Sequence, residues 1–159
     1  MSGSISWDPS FEAWWLIHQT THLMNRARRK ELKRYGTVIV QCGILFAVEI
    51  LGDRATPAEL ARWLAREHHT ILQVLKGMEK KGLIKRTKDL ERKNLVRISL
   101  TKKGKTLYRK TKRESVEYIM SCLNDREQKT LCKYMERLRE RSLMYLGEYE
   151  KPAAPPSFL

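Results

Sequence analysis

The chain has 159 residues, 42% of them hydrophobic and 8% aromatic, which is enough for one compact domain or a small domain with helical extensions. Its formal net charge of +14 is unevenly placed: sixteen lysines and arginines stand against three acidic residues between Lys76 and Arg113, whereas residues 1–75 carry nine basic and seven acidic side chains and residues 114–159 seven and eight. No apolar run approaches the roughly 18 residues of a membrane span, the opening Met-Ser-Gly-Ser sets the expectation of no secretion signal, and Cys42, Cys122 and Cys132 are odd in number without zinc spacing, so the expected setting is a reducing cytoplasm with buried thiols or one redox-responsive thiol.

The first predicted helix covers about Ser10–Tyr35. Asp8-Pro9-Ser10 supplies capping and first-turn residues, Gly36 ends it, and Phe11, Trp14, Trp15, Leu16, Ile17, Leu23, Met24, Ala27 and Leu32 recur at steps of three and four. That is more apolar surface than a small module needs, so part of it is expected to pack on a partner chain. A second helix is predicted over 37–51, with Val38, Cys42, Leu45, Phe46 and Ile50 inward and Gly52-Asp53-Arg54 closing it. Thr56-Pro57-Ala58-Glu59 reads as a cap, a first-turn proline and a capping-box glutamate, starting a short helix to about Ala65.

His68 or His69 opens the next helix, whose inward row is Ile71, Val74, Leu75 and Met78 and whose end is set by Gly82. Leu83–Thr87 and Leu95–Leu100 alternate as two short strands around a charged tip, Lys88 to Asn94. Residues 102–122 are expected as a single long helix, and Asn124-Asp125 starts a last one reaching Tyr145 or Tyr149 with Leu131, Tyr134, Met135, Leu138 and Leu143 as its stripe; residues 150–159 are a proline-rich tail. The predicted fold class is therefore mainly α (α+β), a winged helix-turn-helix domain over 37–101 flanked by a helical dimerisation region, 10–36 and 102–149.

A cationic helix beside a cationic hairpin suits the backbone of duplex DNA. The second short helix can enter a major groove while the hairpin tip reaches an adjacent minor groove, and two-fold pairing through the terminal helices would match an inverted-repeat site. Catalysis is not expected: His18, His22, His68 and His69 hold no glutamate in a hydrolase arrangement, and no phosphate-binding glycine loop or paired nucleophile and base stands out. Neither a metal site nor a cofactor is expected.

Between Glu59 and Gly104 the chain resembles the MarR family of dimeric transcriptional regulators. Glu59-Leu60-Ala61 with Leu64 is similar to the family's supporting helix, Thr70-Ile71, Leu75 and Met78 to Ile84 to its recognition helix running into the wing, and Val96 to Gly104 to the second wing strand and the next helix. The resemblance implies a DNA-binding homodimer that usually represses and often lets go when a small molecule or oxidant acts on it. It places His68, His69, Thr70, Gln73 and Lys76 on the outer face of the recognition helix. Gln73 can pair with the two-atom edge of adenine, Thr70 with a base or phosphate, and Lys76 with phosphate or guanine. In the wing it points to Arg92 or Lys93, with Lys88 beside them, although counting back from Thr101 puts Asn94 where the family has its arginine. Asp89 or Glu91 would orient that arginine.

Arg66, in the helix connection, stands where the family usually has an apolar residue and is expected to reach phosphate with its stem over the core. Leu72 replaces a small polar residue, for a thymine methyl or for packing. The resemblance also implies an effector pocket, for which Trp14, Trp15, His18, Cys42 and Phe46 are candidates suited to a phenolic or other planar ligand; the same residues read otherwise as ordinary core or dimer residues. The competing reading from the same residues is an architectural or RNA-binding winged helix without a switch.

Overall fold

The computed structural model describes residues 8–89 and 95–148. Seven α-helices and one hairpin follow in order: α1 (Pro9–Lys33), α2 (Ile39–Leu51), α3 (Pro57–Leu64), α4 (His68–Lys80), β1 (Ile84–Lys88), β2 (Val96–Leu100), α5 (Lys102–Lys110), α6 (Glu114–Met120) and α7 (Asp125–Leu146). No described helix is long and apolar enough to cross a membrane.

Local chemistry explains most of the boundaries. Asp8 accepts from the Ser10 N–H at 3.3 Å ahead of Pro9, and Thr56 accepts from the Glu59 N–H at 3.2 Å ahead of Pro57. The Glu59 carboxylate pairs with Arg62 one turn on. Asn124 and Glu127 form a reciprocal capping box at the start of α7. Gly82 ends α4 at a φ of 67°, a left-handed conformation that glycine adopts without Cβ strain. Ala65 holds a φ of 48° between α3 and α4. The tight connection is thus made without glycine.

The core lies under the hairpin. Ile44 and Leu45 of α2, Leu60 of α3, Ile71, Leu75 and Met78 of α4, and Ile84 and Ile98 of the hairpin are almost wholly removed from water. At roughly 1.5–3 kcal/mol for each fully buried large apolar side chain, this row outweighs any single cap in fixing the lobe. The strands pair antiparallel from Ile84 opposite Leu100 to Lys88 opposite Val96, and the outer edge of β2 is extended by one bond from the Ile98 N–H to the Ala55 carbonyl at 2.8 Å. That bond ties the wing to the segment between α2 and α3.

Gly104, in the first turn of α5, is buried where a Cβ would meet the backbone carbonyl of Leu83 far inside van der Waals contact. Backbone cannot swing aside as a side chain can. Gly104→Ala is therefore expected to cost about 3 kcal/mol, measured by urea unfolding, with the wing root displaced.

Residues 102–122 do not form the single helix that their composition suggests. α5 stops at Lys110, Thr111 is extended with a ψ of 105°, and α6 starts at Glu114. The cause lies on α1: the Glu31 carboxylate accepts from the Glu114 N–H at 2.9 Å, from the Ser115 N–H at 3.2 Å and from the Ser115 hydroxyl. These bonds cap a new helix start, while the Thr111 hydroxyl donates to the Leu107 carbonyl at 2.8 Å and closes the old end.

Candidate nucleic-acid interface and adjoining cleft

α4 is amphipathic in the sense a reading helix requires. Ile71, Leu75 and Met78 are buried, while His69, Gln73, Lys76 and Lys80, spaced by four, three and four, lie exposed on one face. Leu72 is 37% exposed and borders that face, so it is not packed away against the neighbouring helix. Thr70 is half-buried, its hydroxyl 3.4 Å from Nε2 of His69. Arg66 and His68 are also exposed, but they border a hollow against the end of α7 that includes Arg139 and Leu143.

The wing adds exposed Lys85 and Lys88 on β1. Arg86 turns back to Glu79 on α4 at 3.0 Å, which fixes the hairpin against the reading helix and leaves the lysines to face outward. Asp89 has an arginine of the opposite strand as a partner. It holds Arg97 of β2 through Nε at 2.8 Å and Nη2 at 2.7 Å, and Arg97 also donates to the Asp53 carbonyl. The Asp89 N–H donates to the Leu95 carbonyl at 2.8 Å and closes the ladder at its loop end. Arg92 and Lys93, with Glu91 and Asn94, lie outside the described residues.

Behind the wing, a cleft of about 270 Å³ opens among α1, α2 and the α5–α6 break. Cys42 and Phe46 line it, together with Arg28, Tyr108 and Arg113. Phe46 is boxed by Trp63 at 5.4 Å edge-on, Tyr108 at 6.3 Å and the Arg113 guanidinium 5.5 Å above its ring. Trp14, Trp15 and His18 are not part of this cleft. They sit two to four turns earlier on α1, exposed, with Trp15 and His18 stacked at 5.6 Å. Periodicity put them on the helix's apolar face but could not say which length of α1 meets α2. Arg28, Tyr108 and Arg113 were not legible in the sequence because a cation in a basic stretch looks solvated and because the break that sets Arg113, itself exposed, over Phe46 is imposed from α1.

The electrostatics of the cleft wall centre on Glu31, which is only 3% exposed. Burial alone would raise its carboxyl, but the Ser115 hydroxyl, the Arg28 guanidinium and the Ser115 N–H outweigh burial and hold it below its ordinary value of 4.5. The group is a carboxylate at neutral pH, paired with Arg28 at 2.6 Å.

Residues 40–104 match a family model described as a winged helix DNA-binding domain. Among solved structures, the organohalide-sensing transcriptional regulator RdhR is 28% identical over 100% of this chain and 98% of its own, with a TM-score of 0.84, both ligand-free and with 2,4-dichlorophenol bound. A mutant MarR from E. coli complexed with operator DNA is 19% identical over 85% of this chain and 99% of its own, with a TM-score of 0.75. AbsC, a MarR family transcriptional regulator from Streptomyces coelicolor, is 17% identical over 87% of this chain and 97% of its own, also at 0.75. No curated protein matches the sequence. The exposed face of α4, the wing beside it and these likenesses together show that the chain carries a winged helix DNA-binding domain and has the fold of the MarR-family transcriptional regulators.

Proposed function

We propose that this protein is a homodimeric, sequence-specific transcriptional repressor that holds an inverted-repeat duplex through α4 and the wing and releases it when a small aromatic ligand enters the cleft. The observation that carries the reading is the outer face of α4. His69, Gln73 and Lys76 are exposed in one row on a helix whose opposite side is buried, beside outward wing lysines, which is a surface matched to a groove and its flanking phosphates.

The dimer is supported by what one chain leaves uncovered. α7 packs only lightly against the rest of the described chain, with Tyr134, Met135 and Leu138 exposed by 56%, 43% and 48%, and Phe11, Trp14 and Leu16 of α1 are as open. Contiguous apolar faces of this kind are seldom left in water. A second copy covering both would set two reading helices about one helical turn, roughly 34 Å, apart. The ligand is supported by the aromatic box around Phe46 with two guanidinium groups at its wall, and by the bound 2,4-dichlorophenol in the similar regulator.

The test is selection of duplexes from a random pool at near-physiological salt, with and without 2,4-dichlorophenol. The expected product is a two-fold motif whose binding weakens with the ligand. Within that motif, Gln73→Ala is expected to relax preference at one base pair by roughly 1–3 kcal/mol, read from relative affinities for the four substituted sites. Lys76→Ala is expected to weaken all duplexes alike and to reduce the salt slope by about one. A pool that returns unselected sequence would overturn the specific reading in favour of architectural binding.

A further inference from the structure

Arg28 serves two places at once. Its Nη1 donates to Glu31 at 2.6 Å and to the Lys112 carbonyl at 2.8 Å, its Nη2 lies 3.6 Å from the Cys42 sulfur, and it lines the cleft. Lys112 is in the α5–α6 break, and Glu31 caps the first amides of α6. Exposed pairs from Arg34 and Lys112 to Glu114 also tie the break, but the buried pair is Arg28 with Glu31, and its cation also looks into the ligand space.

The two sides of the break pack on different neighbours, although α1 also touches α2 directly. α5 packs on α2 and β2 of the DNA-reading lobe, whereas α6 packs on α1. A change of angle at Thr111–Arg113 moves α4 relative to the terminal helices. No carboxylate is among the described residues that line the cleft, and a second guanidinium, Arg113, sits over Phe46; the nearest negative charge is Glu31, behind Arg28 and paired with it, so an entering anion competes with that carboxylate for Arg28.

Resting on the ligand-released reading above, we infer that Arg28 is the positioning residue through which an aromatic anion in the cleft opens the α5–α6 break. A guanidinium presents its N–H donors in one rigid plane. Both of its present bonds to the break leave through Nη1, so an anion that takes the Nη1–Nη2 edge draws Nη1 from Glu31 or from the Lys112 carbonyl. Occupancy by an anion takes Arg28 from the break, the cap on α6 loosens, and the separation of the two reading helices in a dimer departs from the helical repeat. A neutral ligand of the same shape fills the cleft without drawing Arg28 across.

This makes ligand binding and DNA release separable. The full-length protein is titrated at mildly alkaline pH with 2,4-dichlorophenol, then ionised, and with 2,4-dichloroanisole, its methyl ether, while ligand affinity and affinity for the selected duplex are measured separately. For the natural chain the phenolate is expected to weaken DNA binding by about tenfold or more, within the usual range of allosteric coupling, and the ether by less than about twofold. Arg28→Lys keeps a charge in the cleft but loses the fork, so it is expected to bind phenolate while its DNA affinity no longer responds. Glu31→Gln keeps a neutral acceptor for Glu114 and Ser115 but removes the competitor for Arg28, so it is expected to bind phenolate several-fold more tightly and also to lose coupling. A purely structural Arg28 does not yield tighter binding in Glu31→Gln. Equal release by phenolate and ether, full coupling in Arg28→Lys, or weaker phenolate binding in Glu31→Gln would each overturn the inference while leaving ligand control intact; no phenolate binding by the natural chain would remove both.

Discussion

Leu138→Glu is expected to give a folded monomer whose affinity for an inverted-repeat duplex is about a thousandfold lower. The side chain lies midway along the 22-residue α7, 48% exposed in the single chain and spaced one turn from Tyr134 and Met135, so it stands at the centre of the face proposed to meet the partner. A carboxylate there would be brought against its own symmetry mate in a two-fold interface, combining desolvation with like-charge repulsion. The folded lobe is untouched because its core is built from α2, α3, α4 and the hairpin. What is lost is the second half-site: joined binding modules gain about 10²- to 10⁴-fold over either alone, and a monomer forfeits that factor. Light scattering gives the mass and fluorescence anisotropy the duplex affinity. A variant that stays dimeric, or one that is monomeric with undiminished affinity, would remove the terminal helices from the mechanism.

The second large effect is expected at Glu31. Removing its side chain by Glu31→Ala leaves Arg28, only 15% exposed at its side chain, without its ion-pair partner and strips the start of α6 of its acceptor. Breaking a buried pair from one side typically costs about 3–5 kcal/mol, and that is the expected loss by denaturant unfolding. The pH dependence has a definite sign. Although burial alone would raise the Glu31 carboxyl, its hydrogen bonds and Arg28 hold it lower in the folded chain than the ordinary 4.5, so the unfolded chain binds more protons in the acid range. The stabilisation is therefore fully present above about 4.5 and is lost as pH falls through the folded value. Stability curves of the natural chain and Glu31→Ala should run parallel near neutrality and converge in acid. A constant gap down to strongly acid pH would show that the carboxylate's charge is not what holds α6.

How far the sequence speaks is clearest from the contrast between the two halves of the DNA lobe and the segment that follows it. Thr56-Pro57, the buried row Ile71, Leu75 and Met78, Gly82 and the alternation of Val96, Ile98 and Leu100 act locally, through caps, periodicity and φ, and each lies where its residues place it. The face of α4 follows from the same periodicity. The break at Thr111–Arg113 was not legible, because neither glycine nor proline marks it and its cause, Glu31, lies more than 80 residues away. The cleft depends on that break. Cys42 and Phe46 were within reach of the sequence because α2 is short, but Arg28 and Arg113 were hidden among cations that elsewhere face solvent. Trp14 and Trp15 have the chemistry for an aromatic pocket but lie at another height on α1 than this cleft. Asp89 likewise has the chemistry to hold an arginine, and among the described residues it pairs with Arg97.

The most direct measurement is hydroxyl-radical protection of a duplex selected from a random pool, carried out with the natural chain and repeated with Gln73→Ala and Lys76→Ala. The account predicts two protected patches related by a two-fold axis about one helical turn apart, with relaxed preference at one base pair in each half for Gln73→Ala and uniformly weaker protection for Lys76→Ala. A homogeneous, folded sample that protects no duplex at low ionic strength, or protection unchanged by both substitutions, would contradict the claim that the outer face of α4 reads DNA.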